Sequence, residues 1–172
     1  MSSIKIFFEK ISLSFTKNSA IAGFFFFLVL CSWYILRPVR NEMAVQNSDI
    51  LPYLLGVGAL VMLLLNPIYS WLASRKNLKS VLIGCYLFFI INLLLFIILW
   101  EFFDLSGAIW LSRIFYVWCN VYSFFVVSIF WVVIINLFRG DGATNVFGVI
   151  AAGGSIGAFL GSEISKQLAV TF

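Results

Sequence analysis

The sequence predicts an all-α integral membrane protein, a bundle of five transmembrane helices. Five long apolar stretches, separated by short polar loops, fill the chain from Ala20 to Ile164. A hydrocarbon core about 30 Å thick needs about 20 mostly apolar residues of helix to cross it. Residues 20–36, 51–73, 81–100, 108–138 and 146–164 approach or exceed that length. Composition agrees: 63% of the 172 residues are hydrophobic, 10% are charged, and mean hydropathy is +1.08. A water-soluble domain of this size does not bury so much apolar surface.

The elements follow in order. Ahead of the first span, Ile4, Phe7, Phe8, Ile11 and Phe15 recur at helical spacing opposite Lys5, Glu9 and Lys10. That pattern predicts an amphipathic segment over 1–18 lying in the membrane interface. The first span ends at Leu36-Arg37-Pro38, where a signal peptide would carry a small-residue cleavage site, so it is expected to persist as a helix. Arg37 and Arg40 then project from the helix end, or from an extended turn after the proline. The second span starts at Pro52, where a missing N–H costs nothing. Asn66-Pro67 near its other end is expected to kink the helix, which makes the two residues candidates for gating. The third span, 81–100, meets the length requirement. The fourth, about 31 residues and about 46 Å at 1.5 Å per residue, must tilt or project beyond the lipid. In the fifth, Gly153, Gly157 and Gly161 are spaced by four, so one bare face admits another backbone, as a packing surface or a sliding one. Trp33, Trp71, Trp100 and Trp110 fall near span ends and fit an interfacial aromatic belt.

Charge sets the expected topology. Lys5, Lys10 and Lys17 precede the first span; Arg75, Lys76 and Lys79 lie between the second and third; Arg139 follows the fourth. The alternate loops hold Arg37, Arg40, Glu42 and Asp49, then Glu101 and Asp104. The positive-inside rule places the N-terminus and the 74–80 and 139–145 loops in the cytoplasm, in a bacterial inner (plasma) membrane. The net charge of +4 comes from these juxtamembrane clusters, so no nucleic-acid polymer is expected as a partner. There is no histidine, no GxSxG, HExxH or P-loop pattern, and Cys31, Cys85 and Cys119 all fall inside spans. No enzyme activity, metal or cofactor is expected.

Function must come from the few polar groups the membrane tolerates. Arg37 and Arg40 present planar forks suited to carboxylate or phosphate, although interfacial arginines also serve as headgroup anchors. Arg113 lies near the outer end of the fourth span, where Glu101 or Asp104 is within reach as a partner. Asn120 is deeper, followed by Ser123, Ser128 and Asn136. These side chains either join helices or line a path with Arg40 or Arg113. Glu163 and Lys166 are spaced to pair on one helix face. The candidate solute-binding residues are thus Arg37, Arg40, Arg113 and Asn120, and the candidate gating and packing positions are Asn66, Pro67, Arg75, Gly153, Gly157 and Gly161.

Four stretches carry a family resemblance. Ile35-Leu36-Arg37-Pro38-Val39-Arg40-Asn41-Glu42-Met43 is similar to a basic signature ending the first helix of one transporter branch. Ser70-Trp71-Leu72-Ala73-Ser74-Arg75-Lys76-Asn77-Leu78-Lys79 looks like a degraded loop between helices two and three, with Ser74 where an aspartate is usual. Residues 115–120 and 126–131 are similar to the fourth helix, and 147–157 to a glycine-rich fifth. Together they resemble the N-terminal half, lacking its sixth helix, of major facilitator superfamily transporters, in the branch related to the ATP/ADP carriers. The resemblance covers about residues 20–163. It implies secondary transport by alternating access, with substrate held between two six-helix bundles. The missing C-terminal half, or a second subunit, is then an expected partner alongside the lipid bilayer. In that branch a basic residue matching Arg40 and an acidic one near Asn120 matter for transport. Arg40 stands where lysine is usual, and Asn120 carries no charge. These departures argue against ATP/ADP exchange and leave a small anionic solute as the expected cargo. The competing expectation is a non-transporting packing or assembly protein, or a degenerate transporter fragment.

Overall fold

A computed structural model describes residues 17–74, 77–102, 105–138 and 143–171. The amphipathic segment expected over 1–18 lies outside the described residues except for Lys17 and Asn18, which open the first helix. Arg75, Lys76, Asp104 and Arg139 also lie outside them. The described residues form helix α1 (Lys17–Gln46), a 3-10 turn (Ser48–Ile50), α2 (Leu51–Ala73), α3 (Leu78–Phe102), α4 (Leu105–Leu137) and α5 (Ala143–Thr171), with no strand among them. All five helices are long and apolar enough to cross a membrane, which marks an integral membrane protein.

The described residues divide into two compact units. One comprises those up to Ile35 and from Ile134 onward, the other Leu36–Val133. In the first, α1 and α5 run parallel with their backbones in close contact. Gly153 lies against Gly23, Gly157 against Phe27 and Gly161 against Cys31, one turn apart on both helices. A Cβ on Gly157 would come within 2.8 Å of Phe27 Cα, and one on Gly161 within 3.0 Å of Cys31 Cα. Without a hydrophobic effect between helices in lipid, such close van der Waals contact is what holds them together.

The second unit is built on α4. Ser112, Arg113, Asn120 and Ser123 make this the helix whose polar groups must turn inward. In keeping with that, 39% of its most apolar window is buried, against 6% for α3. The α3 helix presents Leu87, Phe88, Ile90, Ile91, Leu94 and Leu95 outward and buries only Phe89 among its apolar side chains. Its one intramembrane amide, Asn92, bonds back to the Phe88 carbonyl at 2.8 Å and needs no neighbour. Phe89 docks edge-on against Trp118 and Tyr122, with ring centroids 6.0 and 5.4 Å away. On α4, Phe115, Trp118 and Tyr122 recur at three and four residues and stack upon one another at 5.7 and 5.4 Å. Tyr86 of α3 donates to the Val126 carbonyl at 3.1 Å, and Tyr69 of α2 donates to that of Ser128 at 3.4 Å.

The α3 helix begins at an explicit cap. Asn77 Oδ1 accepts the Ser80 backbone N–H at 3.3 Å, the N-cap to N3 bond that satisfies one orphan donor of the first turn. Asn77→Ala is expected to lower stability by about 1 kcal/mol, read as the shift in equilibrium unfolding in mixed micelles; an unchanged midpoint would mean water already serves that donor.

The first helix differs most from the sequence expectation. It does not end near Leu36 or open into an extended turn; it continues through Pro38 to Gln46. Proline removes one intrahelical bond, which membrane helices tolerate when neighbours absorb the freed group. The residues beyond it hold the helix: Met43 is buried, Gln46 Nε2 reaches Glu42 Oε1 at 3.3 Å, and Asn47 Nδ2 bonds the Met43 carbonyl at 2.9 Å. Trp33 is consequently in mid-helix and not near an end. Pro67 is likewise contained within continuous α2, and both Asn66 and Pro67 are exposed. The fifth helix runs past Ile164 to Thr171, carrying the exposed Lys166–Glu163 ion pair at 3.6 Å.

Candidate functional site, a polar seam between α1 and α4

The extension of α1 past Pro38 brings Arg40 and, just beyond the helix end, Asn47 to the α4 face. Two contacts define the seam. Arg40 Nη1 donates to Asn120 Oδ1 at 3.1 Å. Arg113 Nε donates to Asn47 Oδ1 at 2.9 Å. Asn47 follows Arg40 by seven residues on one strand of this pair, and Arg113 precedes Asn120 by seven on the other. Two turns of helix separate the contacts, about 10.5 Å at 1.5 Å per residue, so the end of α1 and α4 run antiparallel. The contacts are also reciprocal: each helix segment supplies one arginine and one asparagine amide, in opposite order.

Asn47 is the better enclosed of the two amides, 6% exposed, beside Ser112 at 3%. All its polar valences within reach are used. Its amide nitrogen donates to the Met43 carbonyl and to Ser112 Oγ at 3.0 Å, while its oxygen accepts from Arg113. Ser112 in turn donates to the Ile109 carbonyl at 2.8 Å. The Arg113 guanidinium carbon also lies 4.8 Å from the Trp110 ring centroid, a cation–π contact.

The Arg40 end is more open. Its Nη2 donates to Asn41 Oδ1 at 2.8 Å, and its guanidinium lies 6.0 Å from the Tyr116 centroid. Both side chains described as its hydrogen-bond acceptors are neutral amides. Asn120 faces Gly58 of α2, where a Cβ would stand 3.7 Å from its Nδ2. That NH₂ group makes no hydrogen bond among the described residues.

The structure thus brings Arg40 to Asn120 but gives Arg113 a different partner. Among the described residues the hydrogen-bond partner of Arg113 is the Asn47 amide; Glu101 is exposed, and Asp104 lies outside the described residues. Arg37, one turn before Arg40, is exposed on the same helix. Ser123 bonds its own helix at the Asn120 carbonyl, 2.9 Å away, and Asn136 is exposed, so the polar residues of α4 do not form one continuous row facing the arginines. Arg75 lies outside the described residues. Asn47 and Ser112 are the site residues that sequence reasoning missed. The signal was the shared spacing of seven in Arg40/Asn47 and Arg113/Asn120, invisible while residues 37–49 were read as a loop.

Among the described residues no cluster of three His, Cys, Asp or Glu side chains stands close enough to hold a metal ion. No family model, curated protein or solved structure matches the chain. Its function has to be read from the seam itself.

Proposed function

We propose that the chain is a secondary-active transporter of facilitator type, working by alternating access on a small anionic solute. Arg40 is the residue that holds the anion, and Asn120 is its resting partner. The observation carrying this reading is that Arg40 is held by a neutral amide on an adjacent helix. An anion can replace Asn120 Oδ1 and gain charge-assisted bonds to the guanidinium. Asn120 then turns its unbonded NH₂ toward the same anion. The resemblance of residues 35–43 and 147–157 to the nucleotide-carrier branch supports the same class. A site of this kind needs an opposing wall, supplied by a second six-helix bundle or another subunit. The lysine and arginine count supports a cytoplasmic N-terminus in a bacterial inner membrane.

A second reading is favoured by the other end of the seam. Asn47, Ser112 and Nε of Arg113 bond one another, which is what helix-joining polar residues of a non-transporting assembly protein do. The two readings part at Arg40. Membrane vesicles carrying the chain together with its opposing half are supplied with labelled inorganic phosphate, a dicarboxylate and a nucleoside triphosphate. Arg40→Ala is expected to lower uptake of the transported anion at least tenfold at unchanged membrane level, and Arg40→Lys to restore part of it. Uptake equal to wild type in both variants would favour the assembly reading.

A further inference from the structure

A second face of α4, which shares Arg113 with the seam, borders a groove, formed with α2 and α3, of about 1490 Å³. That exceeds the about 300–1,000 Å³ usual for pockets that hold drug-sized ligands. Its walls are aliphatic and aromatic, Val57, Val61, Leu65, Val117 and Phe88 among them, and Arg113 is the one charged residue among the described residues that line it. Along α2 the groove runs from Ile50 to Ser74, about 36 Å at 1.5 Å per residue, comparable to a hydrocarbon core.

Its two ends differ. At one, the lining residues among those described include Ser74, Asn77 and Ser80. At the other, Arg113 stands with Trp110 and Tyr53, which are 64% and 75% exposed. Exposed amphipathic aromatics of this kind mark headgroup level. Arg113 spends Nε on Asn47 and its π-face on Trp110. Its two terminal NH₂ groups make no hydrogen bond among the described residues, and they are the fork that pairs with a phosphate.

We infer that the groove holds a phospholipid with an anionic headgroup, its phosphate on the terminal nitrogens of Arg113 and its acyl chains along Val57, Val61 and Val117. Charge complementarity at one end and an apolar path leading away from it select a lipid over a soluble anion, which would leave the walls uncovered. They also select it over a docked apolar protein helix, which would leave the Arg113 fork without an acceptor. The site depends on the chain lying in a membrane and not on its transporting anything.

The test uses the full chain purified in mild detergent, with phosphatidylglycerol or phosphatidylcholine added and bound lipid counted by native mass spectrometry. Wild type is expected to retain phosphatidylglycerol at least tenfold more tightly than phosphatidylcholine, with glycerol phosphate at millimolar concentration failing to displace it. Arg113→Gln should erase that preference. Val57→Trp, at a position 48% exposed and away from Asn47, should fill the groove and reduce retention of both lipids while the protein stays monodisperse. A photo-reactive side chain at position 57 should cross-link to lipid. Equal retention of both lipids by wild type, undiminished retention in Val57→Trp, displacement by glycerol phosphate, or cross-linking from position 57 to protein would each overturn the assignment.

Discussion

Replacing Gly157 by leucine is expected to separate α5 from α1 and remove most of the folded protein from the membrane. The Cβ of any larger residue at 157 would run into the carbonyl oxygen and Cα of Phe27, and the obstruction is backbone, which no rotamer change relieves. Overpacking a well-filled interior costs about 1–3 kcal/mol where side chains can shift. Here the helices themselves must part, so the contacts at Gly153 and Gly161 are lost with it. In lipid nothing replaces them, because the acyl chains are as apolar as the helix faces. Gly157→Ala should produce a smaller loss in the same direction. Gly148 is the internal control: it lies on the same helix, and a Cβ there meets nothing within 4 Å. Gly148→Leu should therefore leave the yield of monodisperse protein and its unfolding midpoint unchanged. Equal behaviour of Gly157→Leu and Gly148→Leu would show that the glycine face is not what holds these helices.

The membrane class was legible because it rests on composition over long windows, where individual residues average out. All five spans reappear as helices, and α3, the most uniformly apolar, is the one left most exposed. Boundaries were less legible, since they are decided by single contacts between distant residues. Pro38 is a sound local stop signal, yet burial of Met43 and the back-bond from Asn47 outweigh it, and neither can be read from residues 37–49 alone. The candidate site shows the same division. Arg40, Arg113 and Asn120 stood out because charge and amide groups are costly in lipid. Their pairing did not, because an arginine invites a carboxylate partner on charge alone, and Asp104 and Glu101 are the nearest ones in sequence. The fold instead satisfies Arg113 with an amide that becomes available only when α1 continues as helix.

Asn47 is accordingly the residue on which the seam depends most, and its removal is the second large effect expected. Asn47→Leu deletes three bonds at once: to the Met43 carbonyl, to Ser112 Oγ and from Arg113 Nε. The cost falls on the groups left behind, a buried hydroxyl and a guanidinium nitrogen, at about 1–3 kcal/mol for unsatisfied buried partners. Arg113→Leu removes the cation and should cost less, since the Asn47 amide keeps its two donated bonds. The double variant is the informative one. With both partners apolar, no orphaned charge remains, so the combined loss should fall short of the sum of the single losses by up to about 1.7 kcal/mol, the upper end found for interhelical polar pairs in membranes. Pairing Asn47→Leu with Asn120→Leu supplies the comparison. Those two residues sit at opposite ends of the seam, two turns apart, and independent sites at such separation add within about 0.5 kcal/mol. Equilibrium unfolding of the three single and two double variants in mixed micelles measures both couplings. Additivity at Asn47 and Arg113 would mean that the 2.9 Å contact contributes nothing, and the end of α1 would then be held against α4 by the Asn47–Ser112 and Arg40–Asn120 contacts.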